Sequence, residues 1–520
     1  MRNLQHTVRN LIHILAILLF GWIAAVILSR QRNWQPFLAG IAGLLGVLVL
    51  NRRASGIAGK ISYDRAVKFL TPVLFALQIY IMYNIFFETG WDSGIQVIPA
   101  AKIIARNGDK SFLSDIYFSN YPNNLLLVSL YAAVLKINDS VGIFFENYCL
   151  MAIVILNCAI STSSAVLIYK TGKKLLNEKY AFLGYLLGVC MLVLSPWNVI
   201  CYSDPLALFF PVFIFWLYFS RERNLYKKYL LIFLLGYLGF CIKPQVLIAV
   251  IAIVCVELLR HLSDLRQKEF WKKAGKLAAM ALAMILTVSK LLSVMYSLEG
   301  FAIDREQRFG IPHYLMLGLN EERTGRFSDE DVAFSRQFST GKERTKANFS
   351  EAGRRIKSMG AAGLMRHLSE KMLVNYGNGT FSWGGEGTFY MDRKLPPNRD
   401  VSLRLRHFYY NEGLKYQVFY DGEQTLWLMV LTLIFLQTVL AFRDRKRADD
   451  RYLVLILALV GLTVFELLFE ARARYLYPYV PVYILAALYG LEALNGFWKR
   501  RKVRRRSPVS GTGAADFSNE

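Results

Sequence analysis

The sequence predicts an all-α polytopic membrane protein with about 12–13 transmembrane helices. Three observations carry that prediction. Apolar residues make up 54% of the 520 positions, which is a membrane composition and not that of a soluble globular domain. Many windows hold the roughly 17–25 consecutive apolar residues that a bilayer core demands. Basic residues gather in short flanks between those windows, as the positive-inside rule expects. That placement also accounts for the net charge of +24 without a nucleic-acid partner.

In order, the candidate spans are 11–28, 34–50, 67–87, 121–137, 144–169, 180–200, 204–220, 228–243, 245–259, 276–297, 424–441, 451–470 and 475–492. The first lacks a small-residue cleavage site and is soon followed by another span, so it reads as a retained helix and not as a signal peptide. Basic clusters follow or precede alternate spans: Arg52, Arg53 and Lys60; Lys170, Lys173, Lys174 and Lys179; Arg221, Arg223, Lys227 and Lys228; Arg260, Arg266, Lys268, Lys272 and Lys273; Arg443, Arg445, Lys446 and Arg447; and the run Lys499–Arg506. Placing all of them in the cytoplasm puts both termini there too. It leaves outside Glu88–Asn120, the turn around Pro196–Asp204, the Lys243-Pro244 corner, the loop 298–423 and Glu470–Arg474. The 121–137 span spoils the alternation. A full crossing there would carry Lys170–Lys179 to the outer side with Asp92. Either that helix is re-entrant, or 121–169 or 228–259 divides differently.

These spans define the organisation. Residues 1–297 form an N-terminal membrane module whose first outer loop is 88–120. Within that loop Ile95, Val97, Ile98, Ala101, Ile103 and Ile104 recur at helical spacing. They describe an amphipathic helix lying on the membrane surface. Residues 298–423 are too long for a simple connection. They form an outer subdomain or lid, with helical spacing over 343–374 and an aromatic-glycine run from Asn375 to Tyr390. Residues 424–498 return to the membrane, and 499–520 form a basic, disordered cytoplasmic tail. All six cysteines lie in or at the ends of apolar runs, where they pack. No disulfide framework is suggested.

Chemistry is sought where ionisable groups meet the ends of apolar runs. Asp92, in Gly90-Trp91-Asp92-Ser93-Gly94, is either a general base or the cap of the next helix. Asp204 precedes Pro205 between two apolar runs. It either caps that helix or supports a base or a metal. Glu88 and Asp115 are weaker alternatives. Lys243 interrupts about 30 apolar residues and is costly there unless it faces a partner or water. An anionic phosphate would suit it; snorkelling is the bland alternative. Arg472 and Arg474 either hold phosphate oxygens or pair with Glu466 or Glu470. His313 opens the outer loop, where a lone histidine is more often structural than a ligand. Two carboxylates and one histidine do not make a metal site by themselves, so a divalent metal ion stays an open option and no cofactor is certain. No HExxH, GxSxG, Walker A or Rossmann glycine pattern occurs.

In that order the features resemble the GT-C superfamily of integral-membrane glycosyltransferases, near the protein mannosyltransferases (glycosyltransferase family 39-like) and lipid A aminoarabinose transferase. The matching residues are Asp92 in the first outer loop, the juxtamembrane helix after it, Tyr121-Pro122, Asp204-Pro205-Leu206-Ala207, Lys243, and Arg474-Tyr475 followed by Pro478 and Pro481. The likeness covers 67–260 best and 465–492 moderately. It departs at Tyr121-Pro122-Asn123, where the family has Tyr-Pro-Pro, and in the unmatched outer loop. The resemblance implies inverting transfer of a sugar from a polyprenyl-phosphate donor to an outer-face acceptor, which would be a cell-envelope glycan, lipid or protein. Asp92 would be the general base and Asp204 its support. Lys243, Arg472 and Arg474 would bind the donor phosphate, and Tyr121, His313 and Tyr475 would line the substrate site. Reduced cysteines and the absence of an ER retrieval signal then point to a bacterial plasma membrane. A transporter or flippase of a lipid-linked or polar substrate is the rival. It predicts matched broken helices in two halves, and only the Lys243-Pro244 break is visible.

Overall fold

A computed structural model of the chain describes residues 2–30, 34–53, 62–144, 148–385, 399–444 and 449–506. Lys60, Arg445–Arg447, the end of the aromatic-glycine run from 386 and the tail from 507 lie outside the described residues. Among the described residues the structure is helical throughout, with no strand. The protein is an all-α polytopic membrane protein.

The helices are α1 (Arg2–Arg30), α2 (Gln35–Arg53), α3 (Tyr63–Asn84), α4 (Ile98–Arg106), α5 (Ile116–Asn120), α6 (Leu125–Val141), α7 (Met151–Leu175), α8 (Glu178–Gly188), α9 (Ser203–Ala207), α10 (Phe209–Tyr218), α11 (Leu225–Ile242), α12 (Leu247–Arg260), α13 (Lys268–Glu299), α14 (Ile311–Gly318), α15 (Asp329–Arg336), α16 (Gly341–Tyr376), α17 (Arg399–Tyr409), α18 (Tyr416–Arg443), α19 (Asp450–Leu468) and α20 (Val480–Arg506). Helix α18 begins two turns before the apolar run that predicted it, because Tyr416–Glu423 continues the helix with mixed polarity.

Side-chain contacts define two ends of the bundle. At the basic end Lys173 pairs with Asp64 at 2.7 Å, Arg9 and Arg260 both meet Asp450, at 2.7 and 3.1 Å, and Asn495 donates to Tyr180 at 2.8 Å. Four helices that start at this end carry polar caps. Ser62, Asn177, Asn224 and Asp449 each accept a backbone N–H of α3, α8, α11 and α19, satisfying donors that the first turn leaves orphaned. At the opposite end Ser93 donates to the Cys201 carbonyl at 2.7 Å, Asn157 to that of Ile200 at 3.0 Å, and Thr425 to that of Pro36 at 3.1 Å.

Eight described helices are long and apolar enough to cross a membrane by length and composition, Pro122–Val141 among them. Contacts show that this one does not run end to end. Asn124, just before α6, meets Tyr117 and Tyr202. After α6 the chain returns through Tyr148, whose ring lies 5.8 Å from Tyr83 at the far end of α3. Along its length α6 packs against α4, and the ends of the two are tied by Arg106–Asp139 at 2.8 Å. Both ends of α6 therefore lie on the end opposite the basic one. The alternation problem disappears: among the described residues α1, α2, α3, α7, α8, α10, α11, α12, α13, α18, α19 and α20 make the traverses.

The traversing helices differ sharply in burial. From Val480 to Leu488 nearly every side chain of α20 is buried, as befits a helix apolar all round at the centre of a bundle. Gly490 is needed there, since a Cβ would stand 2.2 Å from the Leu433 carbonyl of α18. In contrast, α13 buries only Ala281 along 32 residues and lies at the periphery.

The segment between α13 and α18 is anchored into the bundle. Arg344 gathers the carbonyls of Glu306, Ser335 and Phe338, and Arg355 holds Asp331 at 2.5 Å. Helix α16 breaks at Gly360 (φ +62°), a backbone state that a side chain would strain. Its second half reaches the bundle: Trp22 of α1 donates to Ser369 at 3.1 Å, and the Tyr376 hydroxyl meets Thr463 of α19 and Tyr483 of α20 at 2.7 and 2.9 Å. Buried Lys371 donates to the carbonyls of Gly318, Leu467 and Phe469 at 2.8, 2.8 and 2.6 Å. It thereby caps orphaned carbonyls of α14 and α19.

Candidate functional site

Asp92 follows α3 at the end opposite the basic one. It occupies the cap position of the π-turn Ser93–Val97 but makes no side-chain cap. Its carboxylate instead accepts the Tyr117 hydroxyl at 3.0 Å and is otherwise exposed. The turn is tight because Gly94 sits against Thr89, whose carbonyl oxygen would lie 1.7 Å from a Cβ. Asp115, the weaker candidate, is spent on capping, accepting the Tyr117 N–H at 2.7 Å.

Asp204 is not the cap of its helix. Tyr202 holds that position, and Asp204 lies inside the first turn of α9 with no exposure. It pairs instead with Lys243. Lys243 terminates α11 in an extended conformation (φ −151°, ψ 109°), which Pro244 imposes on the residue before it. That turns the ammonium back toward α9 and lays it 4.7 Å from the centre of the Tyr475 ring. The Arg474 guanidinium approaches the second Asp204 oxygen at 3.8 Å and stacks on Trp91 at 4.5 Å and Tyr202 at 5.4 Å.

One chain of contacts joins the two aspartates. Asn124 donates to the Tyr117 hydroxyl at 2.6 Å and to that of Tyr202 at 3.3 Å. Tyr202 meets Trp91 edge-on at 4.8 Å, and its carbonyl accepts Tyr131 at 2.9 Å. Burial, with Tyr202 and Asp92 beside it, raises the Tyr117 hydroxyl well above its ordinary range, so it stays a donor to Asp92. The network runs Asp92, Tyr117, Asn124, Tyr202, Arg474, Asp204, Lys243.

Of the other expected residues, Tyr121 lies one ring away, 5.0 Å from Tyr117, and Tyr475 borders both cations. Arg472 acts on Glu470. His313 does not join: it stacks on Phe309 at 4.1 Å and bonds Ser335 at 2.7 Å, and burial holds its imidazole down at about 4. Asn348, a glycosylation triplet in the sequence, is buried and accepts from Ser335. Among the described residues no three His, Cys, Asp or Glu side chains are grouped as a metal ion requires.

Trp91, Asn124 and Tyr202 are the residues that spacing did not single out, and Glu466 enters from the sequence only as a partner for Arg472 or Arg474. Glu466 of α19 is fully buried, and neither oxygen has a hydrogen-bond partner among the described residues. Lys243, Lys371, Glu470 and Asp204 are the charges that act on it. A lone acidic residue inside an apolar run was the available signal.

Among curated proteins none matches this sequence. Residues 35–494 match the model of a family described as a conserved hypothetical integral membrane protein. The matched stretch holds Asp92, Asp204, Lys243 and Arg474 together with the helices that bring them to one end, and the chain belongs to that family.

Proposed function

We propose that this chain is a glycosyltransferase of the GT-C type, with the basic end in the cytoplasm and the site on the outer face of the membrane. The observation that supports it best is Asp204, buried between Lys243 and Arg474 and linked through ring and amide contacts to the exposed carboxylate of Asp92. Lys243 and Arg474 converge on Asp204 in a buried site, and a phosphate ester suits a guanidinium beside an ammonium.

In this reading Lys243 and Arg474 hold the phosphate of a polyprenyl-phosphate sugar, with Arg472 at the margin. Asp204 fixes both cations in place. Asp92 accepts the proton of an acceptor hydroxyl as its oxygen attacks the anomeric carbon from the face opposite the phosphate. The bond from that carbon to the phosphate oxygen breaks, the new glycosidic bond has inverted configuration, and the polyprenyl phosphate leaves with the electron pair. No nucleotide is needed because the donor carries the driving force.

The test compares wild type with Asp92→Asn in membranes at matched expression, following label from a polyprenyl-phosphate sugar pool to a cell-envelope acceptor. Transfer should fall by roughly 10²–10⁴-fold, the worth of a general base, with thermal stability unchanged. Full transfer by the variant would remove Asp92 from the mechanism. Absence of transfer by wild type across several donors would favour the transporter or flippase.

A further inference from the structure

An open cleft of about 410 Å³ lies where α4, α6 and the end of α13 meet, lined by Ile104, Lys110, Lys136, Leu291, Val294 and Leu298, with Asn107, Met295 and Glu299 completing it. It is separate from the aspartate network. One wall is apolar and open: Leu291 is 64% and Leu298 76% exposed, on the peripheral helix that buries almost nothing.

The rim is cationic. Lys110 is placed by two features of the α13 terminus. Its ammonium donates to the Leu298 carbonyl at 3.4 Å, and its stem lies over Gly300, where a Cβ would stand 2.7 Å from it. Lys136 is exposed on α6, and exposed Lys290 stands one helical turn below Val294. Of the nearby acids, Glu299 accepts the Ser129 hydroxyl at 2.6 Å and Asp139 is paired with Arg106. Two lysines, Lys110 and Lys136, thus line the head of an apolar groove beside one engaged carboxylate in a membrane protein.

We infer that this cleft binds the phosphate headgroup of an anionic lipid, with Lys110 and Lys136 on the phosphate and the hydrocarbon chains along Leu291, Val294 and Leu298. Charge and apolarity are ordered as in such a lipid: cations at the level of the interfacial helices, then a lipid-facing stripe. This depends on membrane insertion alone and not on sugar transfer.

The experiment reconstitutes the full chain in vesicles with trace spin-labelled phosphatidylglycerol or phosphatidylcholine and measures the motionally restricted fraction by electron spin resonance. Wild type should restrict phosphatidylglycerol preferentially. Lys110→Gln/Lys136→Gln should lower that preference roughly ten-fold, whereas Lys342→Gln/Lys346→Gln, two exposed lysines on α16, should leave it unchanged. Retained preference in the first double variant, or equal loss in the second, would overturn the assignment. Inorganic phosphate should not displace the label; displacement at concentrations matching the lipid would show a free-anion site instead.

Discussion

The two ends of the bundle both carry ion pairs, and they spend them differently. At the basic end Arg9, Arg260 and Asp450 keep between 22% and 31% of their side chains exposed, and they join α1, α12 and α19. Tyr218 reinforces them through Glu257 at 2.5 Å. Water shares in that solvation, so little desolvation is charged against the pairs. At the other end Asp204, Lys243 and Arg474 keep 6% or less, and Glu466 is buried with both oxygens unbonded among the described residues. Removing such charges from water costs more than their mutual attraction readily returns. The difference teaches that the basic end is built for holding helices together. The opposite end holds a desolvated field that an incoming charge would feel strongly.

Substitutions that exchange the two behaviours test the contrast. Asp204→Asn should have the largest effect. It strands Lys243 in a buried site, and loss of about 3–5 kcal/mol of stability is expected for breaking such a pair. Adding Lys243→Met should recover much of that loss in a denaturation measurement while sugar transfer stays absent. If the double variant is as unstable as the single one, the pair is structural like its basic-end counterparts.

Lys371 gives the pH test. Burial pulls its ammonium down from 10.5 to about 7. Between those values the unfolded chain binds more protons than the folded one, so stability should rise with pH from about 7 to 10.5. The slope is at most about 1.4 kcal/mol per pH unit. Thermal unfolding of wild type against Lys371→Met across that window reads it, and the variant should lack this increment. Equal slopes would place Lys371 with the solvated cations of the basic end.

Asp450→Asn should matter least. Its two arginines stay solvated, so about 1 kcal/mol of stability or less is expected to be lost, with transfer retained. A loss comparable to that of Asp204→Asn would erase the distinction between the ends.

Much of this was legible in the chain itself. The traverses could be read because each carries an apolar run, with basic clusters gathered at one end of the bundle. Asp204, Lys243 and Arg474 could be nominated because a charge at the end of such a run is costly without a partner. The partners could not be named. That Asp204 bonds Lys243 instead of capping α9 depends on the extended conformation before Pro244, and on where α9 lies relative to α11. Trp91, Asn124 and Tyr202 bridge the aspartates through contacts between distant segments, that of Asn124 with Tyr202 across 78 positions among them, which no periodicity encodes. The behaviour of α6 was hidden for a different reason. An apolar helix of 17 residues reads alike whether it crosses the bilayer or lies against α4, and only the return through Tyr148 decides. Lys371 gave no signal because α16 is polar on average.

The broken helix α16 imposes an order of assembly. Its second half is emitted before α18, α19 and α20, yet Lys371 and Tyr376 bond to residues 463, 467, 469 and 483. Until those arrive, a buried lysine has only Gly318 of its three acceptors. The segment between α13 and α18 must therefore wait at the membrane, incompletely seated, for roughly a hundred further residues. Arg474, which faces Asp204, arrives in the same late stretch. Chains interrupted before α20 would expose an unsatisfied lysine and a half-made site together, so a surveillance protease would meet unfinished molecules just where they are chemically incomplete.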